Sequence, residues 1–142
     1  MWSEGALYVL GFEQGLRLWR PLLAPGGHLA VTECSWLTAD PPAEAAAFFA
    51  AGYPGMAGIA ENLERARAAG FDAIDHFTLP PTAWWDEFYA PLQQPMAQLA
   101  PDADPALAAM IDETRREIAL YRVHGDSYGY VFYLLRRRPD AD

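Results

Sequence analysis

Apolar positions along this chain recur with two different periods. Phe12, Leu16, Trp19 and Leu23 fall at helical spacing, with Glu13 in the first turn and Arg17 and Arg20 on the other face. Pro21 removes a backbone donor and disfavours helical geometry at Arg20, which predicts a kink or an early end there. Pro25-Gly26-Gly27 then turns the chain. His28–Cys34 comes next with a continuous apolar run at Leu29, Ala30 and Val31, the pattern of a strand covered on both faces. Residues before this helix, from Met1 to Gly11, read as a loop.

Ser35–Asp40 is a second loop, with Asp40 as N-cap and Pro41 at the first helical position. The spacing predicts a helix over Pro41–Ala51 carrying Phe48 and Phe49, ended by Gly52-Tyr53-Pro54-Gly55. Another runs from about Gly58 to Ala69, with Ile59, Leu63 and Ala66 on one face and Gly70 as its stop. Phe71–Leu79 alternates as a strand: Phe71, Ala73 and Asp75 point one way, Ile74 and His76 the other. Pro80-Pro81 breaks it, and Thr82 can cap the next helix. Pro91 and Pro95 divide Trp84–Ala100 into two short helical pieces. Asp102–Pro105 is a turn. Ala106–His124 is the longest helix, with a stripe of Leu107, Met110, Ile111, Thr114, Ile118 and Tyr121 opposite Asp112, Glu113, Arg115, Arg116 and Glu117. Gly125-Asp126 ends it. Tyr128–Leu135 is a β-prone closing strand and Arg136–Asp142 a polar tail.

A chain of 142 residues is one domain or most of one, and 52% apolar residues suffice for a core. All ten basic residues are Arg, and the net charge is −9. That balance disfavours nucleic acid and anionic membrane as partners, since both attract a cationic face. The lone Cys34 has no internal disulfide partner and sits in an apolar strand as a small hydrophobe, which suits a cytoplasmic protein. The start lacks the features of a signal peptide, and no apolar run approaches a membrane span. His28, His76 and His124 lie far apart and lack metal-ligand spacing, so no metal is expected. No Ser-His-Asp pattern and no phosphate-cradling glycine motif is readable.

Several segments together carry a resemblance. Leu22-Leu23-Ala24-Pro25-Gly26-Gly27-His28-Leu29 looks like the turn before the fifth strand of class I S-adenosylmethionine-dependent methyltransferases. Arg65-Ala66-Arg67-Ala68-Ala69-Gly70-Phe71 resembles that family's junction into the sixth strand, and Tyr128-Gly129-Tyr130-Val131-Phe132-Tyr133 its seventh strand. Trp2-Ser3-Glu4-Gly5-Ala6, with Tyr8 and Gly11-Phe12, resembles the end of the fourth strand and its loop. The resemblance implies an α/β fold: the carboxyl-terminal half of a Rossmann-like methyltransferase, with a small mixed sheet in which the last strand lies antiparallel between the other two. It implies one methyltransferase-like domain over residues 1–142, with excursions at 35–58 and 80–105 that could form a substrate lid. The glycine-rich loop after the first strand and the acid that holds the cofactor ribose have no counterpart here, so the resemblance implies a truncated chain, inactive alone.

By the same resemblance, S-adenosylmethionine is the cofactor and a small molecule the methyl acceptor. Trp2, Ser3, Glu4, Gly5 and Ala6 would border the methionine end of the cofactor, with Glu4 as a base or a partner of its amino group. Glu4 also simply favours the positive end of the next helix. Tyr8, Trp36, Tyr53, Trp85 and Tyr89 are candidate acceptor contacts, although such aromatics equally serve as packing. The edge at Leu29–Val31, deprived of a fourth strand, implies a homodimer or larger assembly. The competing reading is a non-catalytic, degenerate methyltransferase-like module that assembles with itself or a separate chain. A nicotinamide-dependent α/β enzyme fits the closing aromatic strand less well.

Overall fold

A computed structural model describes residues 1–140. They divide into two compact units, one of Met1–Leu79 with the segment from Asp126 onward, the other of Pro80–Gly125. The expected second excursion, 80–105, thus extends to Gly125 and forms a unit of its own.

The first unit is a mixed sheet with flanking helices. Its elements are β1 (Trp2–Ser3), α1 (Phe12–Trp19), β2 (His28–Trp36), α2 (Ala43–Gly52), β3 (Ala57–Gly58), α3 (Ile59–Ala68), β4 (Phe71–Thr78) and, beyond the second unit, a closing strand at Tyr128–Arg137. The strand order is β1, β2, closing strand, β4. β1 runs parallel to β2, and the closing strand runs antiparallel to both β2 and β4, as expected.

Chain chemistry explains the local forms. Glu13 at the start of α1 pairs with Arg17 one turn on, at 2.6 Å. Pro21 ends the α-helix, and Arg20–Leu22 tightens into a 3-10 turn. At Gly27 a Cβ would lie 2.7 Å from the carbonyl oxygen of Ala24, so only glycine fits the turn. That turn is bound to the end of the closing strand, where Arg137 N donates to Gly27 O at 2.8 Å and Gly26 N to Arg137 O at 3.1 Å. Arg137, expected in a solvated tail, is consequently strand and buried, and its guanidinium donates to Leu23 O and pairs with Asp140 at 2.7 Å. The core lies between sheet and helices: Leu7, Phe12, Leu16 and Leu23 meet Leu29, Val31, Val131, Tyr133 and Leu135, with Ala66 and Ala69 from α3 and its end.

Three expectations need correction here. The edge at Leu29–Val31 is not bare. Residues at the start of the chain lie along it, with Trp2 beside Ala30, Ser3 beside Val31, and Ala30 N donating to Met1 O at 3.0 Å. Two residues are too few to show a period, so this strand read as loop. The alternation in β4 also fails, because the register shifts between Ala73 and Asp75. The bulge puts His76 opposite Tyr133 and Asp75 opposite Leu134, so His76 shares the face of Phe71 and Ala73. Finally, α2 starts at Ala43 with Pro42 before it, and Asp40 makes no side-chain cap.

The second unit is helical: α4 (Pro81–Trp84), a π-helical turn (Trp85–Tyr89), α5 (Ala90–Leu99) and α6 (Pro105–His124). Thr82 lies inside α4 and does not cap it. The expected break at Pro91 is replaced by the π turn, in which Ala90 N reaches back to Trp85 O. Widening the turn removes the need for a donor at Pro91. Asp104 caps α6, accepting from Leu107 N at 2.8 Å. Ile111, Ile118, Leu120 and Tyr121 are the buried residues of α6, whereas Met110, expected in the stripe, is 61% exposed. The closing strand Tyr128–Arg137, β5 below, returns the chain to the sheet.

Candidate functional site

Successive residues of a strand point to opposite faces, and β2 uses both near its carboxyl end. Thr32 turns one way, and its Oγ1 accepts from Gly5 N at 2.8 Å. This bond anchors the loop after β1, where Gly5 has a φ of +57°, a left-handed conformation that glycine adopts without strain. Trp2 Nε1 donates to Glu4 Oε1 within the same loop, and both side chains are exposed, as are Gly5 and Ala6. The expected loop set Trp2, Ser3, Glu4, Gly5 and Ala6 is therefore brought to the end of β1 and held there by Thr32.

Glu33 turns the other way and is buried at 2% exposure. Its Oε1 accepts from the Tyr53 hydroxyl, and its Oε2 is buried with no hydrogen-bond partner among the described residues. Burial pushes the carboxyl up to about 7, partly opposed by the Tyr53 bond and by the positive charge of Arg65. Burial also raises Tyr53, and the nearby Glu33 adds to that rise. Arg65 itself is engaged by Glu61 at 2.7 Å and by Gly55 O at 2.8 Å. The Tyr53 ring lies edge-on to Tyr8 at 6.1 Å, so two of the expected acceptor contacts come together.

Two residues further along β2, Ser35 belongs to a buried polar network. Ser35 Oγ donates to Glu33 O at 3.1 Å. Asn62 Nδ2 donates to Ser35 Oγ at 3.1 Å and to the Tyr133 hydroxyl at 3.2 Å. A serine has one proton to give, so the 2.9 Å contact between Ser35 and Tyr133 has Tyr133 as donor. Asn62 Oδ1, also buried, has no partner. Burial raises the Tyr133 phenol.

Of the remaining sequence candidates, Trp36 belongs to the sheet unit. Trp36 packs against Phe49 at 5.5 Å and Tyr128 at 6.1 Å. Trp85 and Tyr89 belong to the helical unit. The Arg122 guanidinium lies 4.9 Å from the Trp85 ring. Tyr89 is fully buried and donates to Glu117 at 2.7 Å. Glu33, Ser35, Asn62 and Tyr133 escaped the sequence reading. The one available signal was a carboxylate inside the apolar run of β2. Among the described residues there is no group of three or more His, Cys, Asp or Glu able to hold a metal, and no helix long and apolar enough to cross a membrane.

No family model matches the sequence, and no curated protein does. Solved structures do resemble the chain. The [4+2]-cyclase SpnF has a TM-score of 0.70 and 22% identity, over 98% of this chain and 49% of its own. A SAM-dependent methyltransferase from Geobacter sulfurreducens, in complex with S-adenosyl-L-homocysteine, has a TM-score of 0.74 and 19% identity, over 96% of this chain and 57% of its own. The mycolic acid cyclopropane synthase CmaA1, complexed with SAH, has a TM-score of 0.69 and 18% identity, over 96% and 54%. This chain spans about half the length of these three structures. Its α/β fold, a small mixed sheet with flanking helices, matches that of solved SAM-dependent methyltransferases, some of them in complex with S-adenosyl-L-homocysteine.

Proposed function

We propose that this chain supplies the acceptor side of an S-adenosylmethionine-dependent methyltransferase acting on a small molecule. The reading rests above all on the Trp2–Ala6 loop, fixed by the Gly5–Thr32 bond at the carboxyl end of β1, where ligands of open α/β sheets collect. The exposed Trp2 indole and the Glu4 carboxylate suit the cationic sulfonium and amino groups of the donor's methionine end. The adenosine end needs a glycine-rich loop and a ribose-binding acid, which this sequence does not carry, so another stretch of polypeptide supplies them. The donor, when bound, provides a methyl group already activated on sulfur. The chain's own residues then orient the acceptor, exclude water and hold a proton.

The fold by itself does not fix the reaction, since two of its neighbours are named a cyclase and a cyclopropane synthase. One observation favours the non-catalytic alternative. β1 is an edge strand, paired on one side only, and such an edge templates a further strand from a second copy or a separate chain. Calorimetry with S-adenosylhomocysteine tests the two. Binding by this chain supports a retained site, and binding only beside a polypeptide carrying the glycine-rich half supports a shared one. No binding in either case, with assembly seen by light scattering, supports the interaction module.

A further inference from the structure

The Glu33 carboxyl combines features that plain packing does not explain. It is buried, its Oε1 is held by Tyr53, and its Oε2 finds no donor among the described residues. A buried acceptor without a donor is costly, more so when charged, so its presence calls for a reason. Asn62, linked to Ser35 two residues along, leaves Oδ1 in the same condition. Two unmet acceptors are therefore tied to the same stretch of β2, and both await donors.

We infer that Glu33 Oε2 receives the O–H or N–H of the methyl acceptor, with Tyr53 as the residue that positions the carboxylate. This assignment rests on the methyltransferase reading above and adds the acceptor's chemical class: a molecule whose reacting oxygen or nitrogen bears a proton. The proton passes to Oε2, the electron pair of the broken O–H or N–H bond stays on the acceptor as its nucleophilic lone pair, and Glu33 becomes a neutral acid. A carboxyl held near 7 by burial matches that exchange at neutral pH. The groups facing it are Tyr53 from the α2–β3 connection, Arg65 from α3 and Tyr133 from β5. Tyr53 lies between Gly52 and Gly55, and its ring is 6.1 Å from that of the exposed Tyr8.

The test is carbon NMR of the glutamate carboxyls in the full chain, with Glu33→Gln identifying the Glu33 signal. Phenol and methylammonium are the donor-bearing probes, and anisole and tetramethylammonium the matched donorless ones. The expected result is that a donor-bearing probe moves the Glu33 signal and its titration midpoint, binding about tenfold more tightly than its donorless match. Tyr53→Phe should shift the Glu33 midpoint before any probe is added, a readout that loss of packing alone would not give. Equal response to both members of each pair, or none, overturns the inference. S-adenosylhomocysteine is titrated into the same samples. Its binding without a probe response leaves the methyltransferase reading standing and removes this inference. A probe response without its binding supports the Glu33 site, and the methyltransferase reading then stands or falls on the calorimetry beside the glycine-rich polypeptide.

Discussion

Asn62 on α3 and Tyr133 on β5, 71 residues apart in sequence, are joined by a 3.2 Å hydrogen bond beneath the helix layer. The same amide nitrogen reaches Ser35 on β2, so one side chain ties a helix to the two strands at the middle of the sheet. Asn62→Leu removes both bonds and leaves two hydroxyls short of a partner in the core. The expected loss is about 1–3 kcal/mol, read as a lower midpoint in urea unfolding. Tyr133→Phe, which deletes one hydroxyl of the network, should cost about 1 kcal/mol.

Glu33 gives stability a definite dependence on pH. Its folded pKa, about 7, lies above its ordinary value of 4.5. Between those two values the folded protein holds a proton that the unfolded chain has released, so stability falls as pH rises. The contribution is fully present below pH 4.5 and gone above pH 7. The shift corresponds to about 3 kcal/mol for a group this buried. Glu33→Gln removes that slope. Subtracting its urea midpoints from those of the parent between about pH 4.5 and 8 should isolate a single descending step.

Gly15 faces the fully buried Leu7, and a Cβ there would sit 2.1 Å from Leu7 Cδ1. Alanine ordinarily favours a helix over glycine by about 1 kcal/mol. Overpacking against Leu7 costs about 1–3 kcal/mol, so Gly15→Ala should destabilise on balance. Adding Leu7→Ala removes the clash, and the double variant should lose less than the sum of the two single losses. A double-mutant cycle by chemical denaturation checks this.

Pro95 lies inside α5 on an exposed position, where it can donate no helical hydrogen bond. Pro95→Ala restores that donor and should raise stability by on the order of 1–3 kcal/mol. Hydrogen exchange should show slower amide loss within Pro80–Gly125, and no comparable change elsewhere.

Long periodic segments were legible in the sequence, and short or interrupted ones were not. The Phe12–Leu16–Leu23 face and the continuous strand at Leu29–Val31 show their roles because each repeats over several residues. The placement of β5 came through a family resemblance, and the antiparallel register of Tyr133 against Val31 bears it out. β1 and β3, at two residues each, carry no period at all. Ile74 breaks the alternation of β4 because a bulge depends on the partner strand and not on local pattern. The site was half legible. Tyr53, with Trp36, stood out as an aromatic beside a loop, Tyr8 came with the resemblance, and the rings of Tyr8 and Tyr53 lie 6.1 Å apart. Glu33 was read as part of an apolar strand, since its burial is set by α3 and Tyr53, which lie far along the chain.

Because β5 lies between β2 and β4, the order of synthesis and the order of assembly conflict. The two flanking strands leave the ribosome long before the segment that joins them, and neither pairs with the other. For that interval β4 has no partner strand and β2 pairs only with the two-residue strands β1 and β3, and the nascent protein must be kept from sticking to its neighbours. Maturation of this sheet therefore waits on residues 128–137.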